Sequence, residues 1–150
     1  MSDTSRVDKA ERLSKKRARI FAVLAVMFLG LQGVYLSNGA LTEASRIGHF
    51  KIGAWAVNAL VLLVLLATGG NLLRGRDVRS LLNDESTQAH RRLALVWGFW
   101  TMMATAFGLY IVDLFEEVTT REVLHMVITF GVAVPMLVFS YLERRAYRDA

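Results

Sequence analysis

Every Lys, Arg, Asp and Glu in this chain lies outside four windows, residues 20–42, 52–73, 93–112 and 123–142. A soluble helix keeps a polar face; these four runs carry no charge on any face. Each is at least 20 residues long, and a helix of that length rises about 30 Å, the thickness of a bilayer's hydrocarbon core. The expected fold is all-α: an integral membrane four-helix antiparallel bundle with spans at about 20–38, 52–73, 93–112 and 123–142. A basic tail, 1–19, and a loop, 74–92, complete a single transmembrane domain over 1–150.

Segregation along the chain reconciles 54% hydrophobic with 21% charged residues. The net charge of +5 is dispersed over membrane-flanking segments, which points to anionic lipid headgroups and topology, not nucleic acid. With no cysteine, disulfides, thiolate metal sites, iron–sulfur ligation and thiol nucleophiles are excluded. The first window has a long basic leader, and Ser37-Asn38-Gly39 is a poor cleavage site, so it reads as a retained span, not a signal peptide.

Fifteen of the 18 basic residues fall in the N-terminal tail, the central loop and the C-terminal tail, leaving Arg46, Lys51 and Arg121 for the other side. Short loops obey the positive-inside rule, so both termini are expected in the cytoplasm. The aromatics suit interfacial positions, with Tyr35, Phe50, Trp55 and Tyr110 toward the outer boundary and Phe21, Trp97, Trp100, Tyr141 and Tyr147 toward the inner.

Local signals mark the helix ends. Asn83 or Asp84 can cap the third helix, with Asp84 and Glu85 favourable in its first turn. Gly69-Gly70 loosens the end of the second helix before its exit at Arg74. Thr119 and Glu122 have the spacing of a capping box for the fourth helix. Asp113, Glu116 and Glu117 share a face if the third helix continues past the membrane. Pro135 would crowd the carbonyl of Gly131, so a kink is expected there.

Several groups of residues are candidate sites. Ala94, Gly98, Thr101, Thr105 and Gly108 form a stripe of small residues, where helices in lipid approach closely. The stripe is read first as a seam within the chain and second as an oligomer or partner interface; leucine at Gly98 or Gly108 is expected to disrupt assembly. Gln32, Asn58, Thr105 and Thr129 fall at one depth in the outer half, either as structural hydrogen bonds or as a polar chamber. Gln32 and Asn58 are the simplest mutual partners, because an unpaired amide is costly in hydrocarbon. Lys15, Lys16, Arg17 and Arg19 could hold anionic lipid. His49, Glu122 and His125 are the candidate metal ligands, although solvated interfacial imidazoles are the default. Buried bis-histidine haem ligation and a di-iron carboxylate motif are not supported. No phosphate-binding glycine loop, nucleophile elbow or HExxH is present, so neither catalysis nor a cofactor is expected.

Asp84-Glu85-Ser86-Thr87 ahead of a span, with Ala94 and Trp97-Gly98-Phe99-Trp100 following, resembles an element of uncharacterised small bacterial four-span inner-membrane proteins. The resemblance covers about twenty residues and implies a bacterial inner-membrane location without an activity to transfer. The expected function is a non-catalytic accessory, regulatory or scaffolding role through helix–helix and lipid contacts, with a homo-oligomer or another membrane protein as partner. The alternative is a small transporter or ion conductor using the polar layer.

Overall fold

The computed structural model describes residues 3–37, 46–69 and 85–146, with some side chains inside the helices, among them those of 46–49, not described. The described residues are all-α, in four helices: α1 (Asp3–Ser37), α2 (Arg46–Ala67), α3 (Glu85–Asp113) and α4 (Thr120–Ala146). Three of them, α2, α3 and α4, are long and apolar enough to cross a membrane. The expected caps at Asn83 and Asp84, the exit at Arg74, and Gly70 lie outside the described residues.

The helices associate through stripes at alternating spacings of three and four. On α4 the buried stripe is His125, Thr129, Val132, Met136, Phe139 and Glu143. On α1 it is Ala18, Phe21, Ala25, Phe28 and Gln32; on α2, Trp55, Ala59, Leu62 and Leu66. This seven-residue periodicity keeps one seam facing the neighbour along the whole helix. The core lies around α4, against which α1, α2 and α3 all pack.

Specific contacts fix helix direction. Ser140 Oγ donates to the Ala18 carbonyl at 2.7 Å, Phe21 meets Phe139 edge-on at 5.1 Å, and Gln32 pairs with His125, so α1 runs opposite to α4. Between α3 and α4, a Cβ built on Gly98 would sit 2.9 Å from Pro135 Cγ, and one on Gly131 would sit 2.6 Å from Met102 Cγ. These contacts make α3 and α4 antiparallel neighbours. At the end of α2, Arg91 of α3 donates to the Ala67 carbonyl at 2.8 Å.

Helix ends differ in detail from the sequence expectations. The second helix ends at Ala67, well short of 73, because Gly69 adopts a left-handed φ of 62°. Its N–H bonds the Leu66 carbonyl at 3.0 Å, an ending that glycine adopts without a Cβ penalty. The third helix stops at Asp113, so Asp113, Glu116 and Glu117 do not share a helical face; Asp113 Oδ1 instead accepts the Val118 N–H at 3.1 Å. The capping box is present: the Glu122 N–H donates to Thr119 Oγ1 at 3.3 Å, and the Thr119 N–H donates to Glu122 Oε2 at 3.0 Å. Just outside the uncharged window, Glu122 is held below the usual carboxylate range by the Thr119 hydroxyl and then by the Thr119 N–H.

Pro135 does not interrupt α4, whose span is continuous from Thr120 to Ala146. Its ring occupies the space opposite Gly98. Two of the aromatics assigned to the boundaries by sequence are packed between helices: Phe21 packs on Phe139, and Trp55 stacks on His125. Phe50, Trp97, Trp100, Tyr110 and Tyr141 are exposed. Of the remaining interfacial aromatics, the Tyr35 side chain and Tyr147 lie outside the described residues.

Candidate functional sites at the two ends of the core

The α4 stripe begins and ends on ionisable residues, and each builds a buried polar cluster. At the end nearer the chain termini, Arg17 of α1 donates through Nη2 to Glu143 Oε2 of α4 at 2.6 Å and to Thr87 Oγ1 of α3 at 3.2 Å. The Arg17 and Glu143 side chains are only 4% and 2% exposed. The guanidinium carbon lies 5.6 Å from the centre of the Phe139 ring, within range of a cation–π attraction. His90 Nδ1 approaches Glu143 Oε1 at 3.6 Å, with the imidazole partly exposed. One carboxylate thus ties α1 to α4 directly and faces α3 through His90.

Burial makes the pair strong and its loss costly. Charges removed from water need both mutual attraction and hydrogen bonds to compensate for desolvation. Arg17 therefore stands apart from the other cations of its run: Lys15, Lys16 and Arg19 are exposed, but Arg17 is buried. Helical position explains the difference, since Arg17 lies one turn before Phe21 on the core-facing side of α1.

At the opposite end, Gln32 Oε1 and His125 Nε2 are 2.5 Å apart. Gln32 Nε2 donates to the Phe28 carbonyl at 3.3 Å, and Thr129 Oγ1 donates to the His125 carbonyl at 2.7 Å. The His125 ring stacks on Trp55 at 4.1 Å between centroids, and Trp55 lies 6.5 Å from Phe28. His125 is 4% exposed, so it is a core histidine, not a solvated interfacial one. It supplies the partner expected of Asn58, because its ring reaches Gln32 from the facing helix.

Only part of the predicted polar layer converges. Gln32 and Thr129 join through His125, whereas Thr105 Oγ1 donates within its own helix to the Thr101 carbonyl at 2.8 Å. Asn58 is half-buried on α2 and makes no side-chain hydrogen bond among the described residues. Of the metal candidates, Glu122 serves the cap and His125 points to Gln32, while the side chain of His49 is outside the described residues. Among the described residues no group of three His, Asp or Glu is placed to hold a metal ion.

The small-residue stripe of α3 is divided. Ala94 and Gly98 are buried, Thr101 and Thr105 are half-buried, and Gly108 is exposed with nothing within 4 Å of a built Cβ. The seam with α4 therefore uses the half of the stripe nearer the start of α3 and releases the other half. Leucine at Gly108 is not expected to disturb the packing within the chain, contrary to the expectation from spacing. Beyond the seam, Trp97, Trp100, Phe107, Tyr110 and Ile111 present a broad exposed apolar face.

No protein-family model, curated protein or solved structure matches the chain.

Proposed function

We propose that the chain is a four-span protein of the bacterial inner membrane with both termini in the cytoplasm. In this reading α1 supplies the fourth span, the helices form an antiparallel bundle, and the protein acts without catalysis as a scaffolding or regulatory element. The observation that carries it is the uncovered apolar face of α3: its apolar window is 6% buried within the chain, against 50% for α4. Exposed apolar surface on this scale marks a membrane or protein contact. Around α4 the chain completes its own core, and it leaves α3 for lipid and a membrane-protein partner. The exposed Lys15, Lys16 and Arg19, at the terminal end, suit anionic headgroups.

A second reading, a small conductor of ions or solutes, is favoured by one observation. His125, an ionisable side chain within the apolar window of α4, is buried beside Gln32 and Trp55, and such groups inside spans often serve transport.

Purification from native membranes in mild detergent separates the two. The scaffolding reading predicts a co-purifying membrane protein that is lost when Gly108→Leu is introduced, with the variant remaining folded. Ion or solute flux through reconstituted vesicles, abolished by Gln32→Leu, would replace it with the second reading.

A further inference from the structure

From the position of Asn58 we infer that the chain self-associates through α2, with the Asn58 amides of two copies bonded to each other. This rests on the transmembrane reading above. Asn58 lies near the middle of the candidate span Phe50–Ala67, whose one charged residue is Lys51, at about 10 Å of helix from Lys51 and about 13 Å from Ala67. Water and headgroups do not reach that depth, and hydrocarbon offers no hydrogen bond. Within the chain, Gln32 is engaged with His125 and the Phe28 carbonyl, and Asn58 has no partner among the described residues.

The surrounding surface admits a neighbour. The buried side of α2 is Trp55, Ala59, Leu62 and Leu66. Asn58 belongs to the adjoining stripe Ala54, Asn58, Val61 and Leu65, on which Ala54 and Val61 are exposed. That stripe repeats the four–three–four spacing of the core seams, the pattern that keeps a helix contact continuous. The short side chain of Ala54 lets a second helix approach closely.

A second copy is the occupant because its amide is both donor and acceptor. A two-fold axis along the membrane normal brings the two Asn58 side chains together at equal depth. Cyclic two-fold pairs are the commonest closed assemblies.

The natural absence of cysteine permits a clean test in the full-length protein reconstituted in lipid vesicles. Single cysteines at Ala54, Val61 and Leu60 are oxidised and scored for disulfide-linked dimer. Ala54→Cys and Val61→Cys should cross-link, while Leu60→Cys, exposed on the other side of α2, should not. Adding Asn58→Leu should weaken self-association by about 3- to 30-fold in a dilution series, with helix content and melting unchanged; Asn58→Gln should restore part of it. Monomer throughout, equal cross-linking at all three sites, or full association in Asn58→Leu would overturn the inference. Failure of the wild-type chain to insert into vesicles would instead reject the transmembrane reading.

Discussion

Glu143→Leu is expected to destabilise the protein by about 3–5 kcal/mol, because it removes the carboxylate paired with a buried guanidinium. Arg17 is 4% exposed and has Phe139 against one face, so water cannot replace the carboxylate without opening the junction of α1, α3 and α4. The double variant Arg17→Met/Glu143→Leu should recover most of that loss, since apolar replacement of a whole buried pair is often neutral or stabilising. Unfolding midpoints of the wild type, both single variants and the double variant, measured in one detergent, give the coupling directly. Independent, additive losses from the two single substitutions would contradict the buried-pair account.

Gly98→Leu should open the α3–α4 seam, whereas Gly108→Leu leaves it closed. At Gly98 even a methyl group would sit 2.9 Å from Pro135 Cγ and 3.2 Å from its Cβ and Cδ. A proline ring held in a continuous helix cannot swing aside. Overpacking of this kind costs about 1–3 kcal/mol or more, and the four-carbon side chain of leucine places it at the upper end. Gly131→Ala is a useful contrast: its new methyl meets the thioether and Cγ of Met102, a flexible side chain that can take another rotamer. The expected order of melting temperatures is Gly108→Leu above Gly131→Ala above Gly98→Leu. Equal melting of Gly98→Leu and the wild type would remove the seam.

The apolar helices are legible in the sequence because membrane spans are written as uncharged runs, a signal independent of tertiary contacts. The capping box at Thr119 and Glu122 is legible for the same reason: both partners lie within one turn. The two polar clusters are not, because each depends on which side of a helix faces inward. Arg17 and Glu143 lie in charged flanking segments, where counting charges assigns a side of the membrane and overlooks helical phase. Extending the apolar stripe by one turn would have found them, as Glu143 follows Phe139 by four and Met136 by seven, and Arg17 precedes Phe21 by four. His125 was hidden differently: its nearness to a helix start suggested solvent, although it shares the stripe with Thr129 and Val132.

Gln32 illustrates a limit of reading depth alone. Matching depth offered Asn58 as partner, but lateral position selects His125, because α1 packs directly on α4. The same geometry leaves Asn58 on the margin of α2. Small residues were misleading in a related way: spacing joined Gly98 and Gly108 in one stripe, yet only Gly98 meets α4.

Site-directed thiol labelling in intact cells and inverted membrane vesicles is the most direct test of the four-span arrangement. In the naturally cysteine-free chain, a membrane-impermeant maleimide should label Glu117→Cys only from the cell exterior. Ser80→Cys and Arg144→Cys should react only from the cytoplasmic side, and Val57→Cys, exposed at the centre of α2, from neither. Labelling of Glu117→Cys and Ser80→Cys from the same side, or reaction of Val57→Cys in intact membranes, would contradict the arrangement.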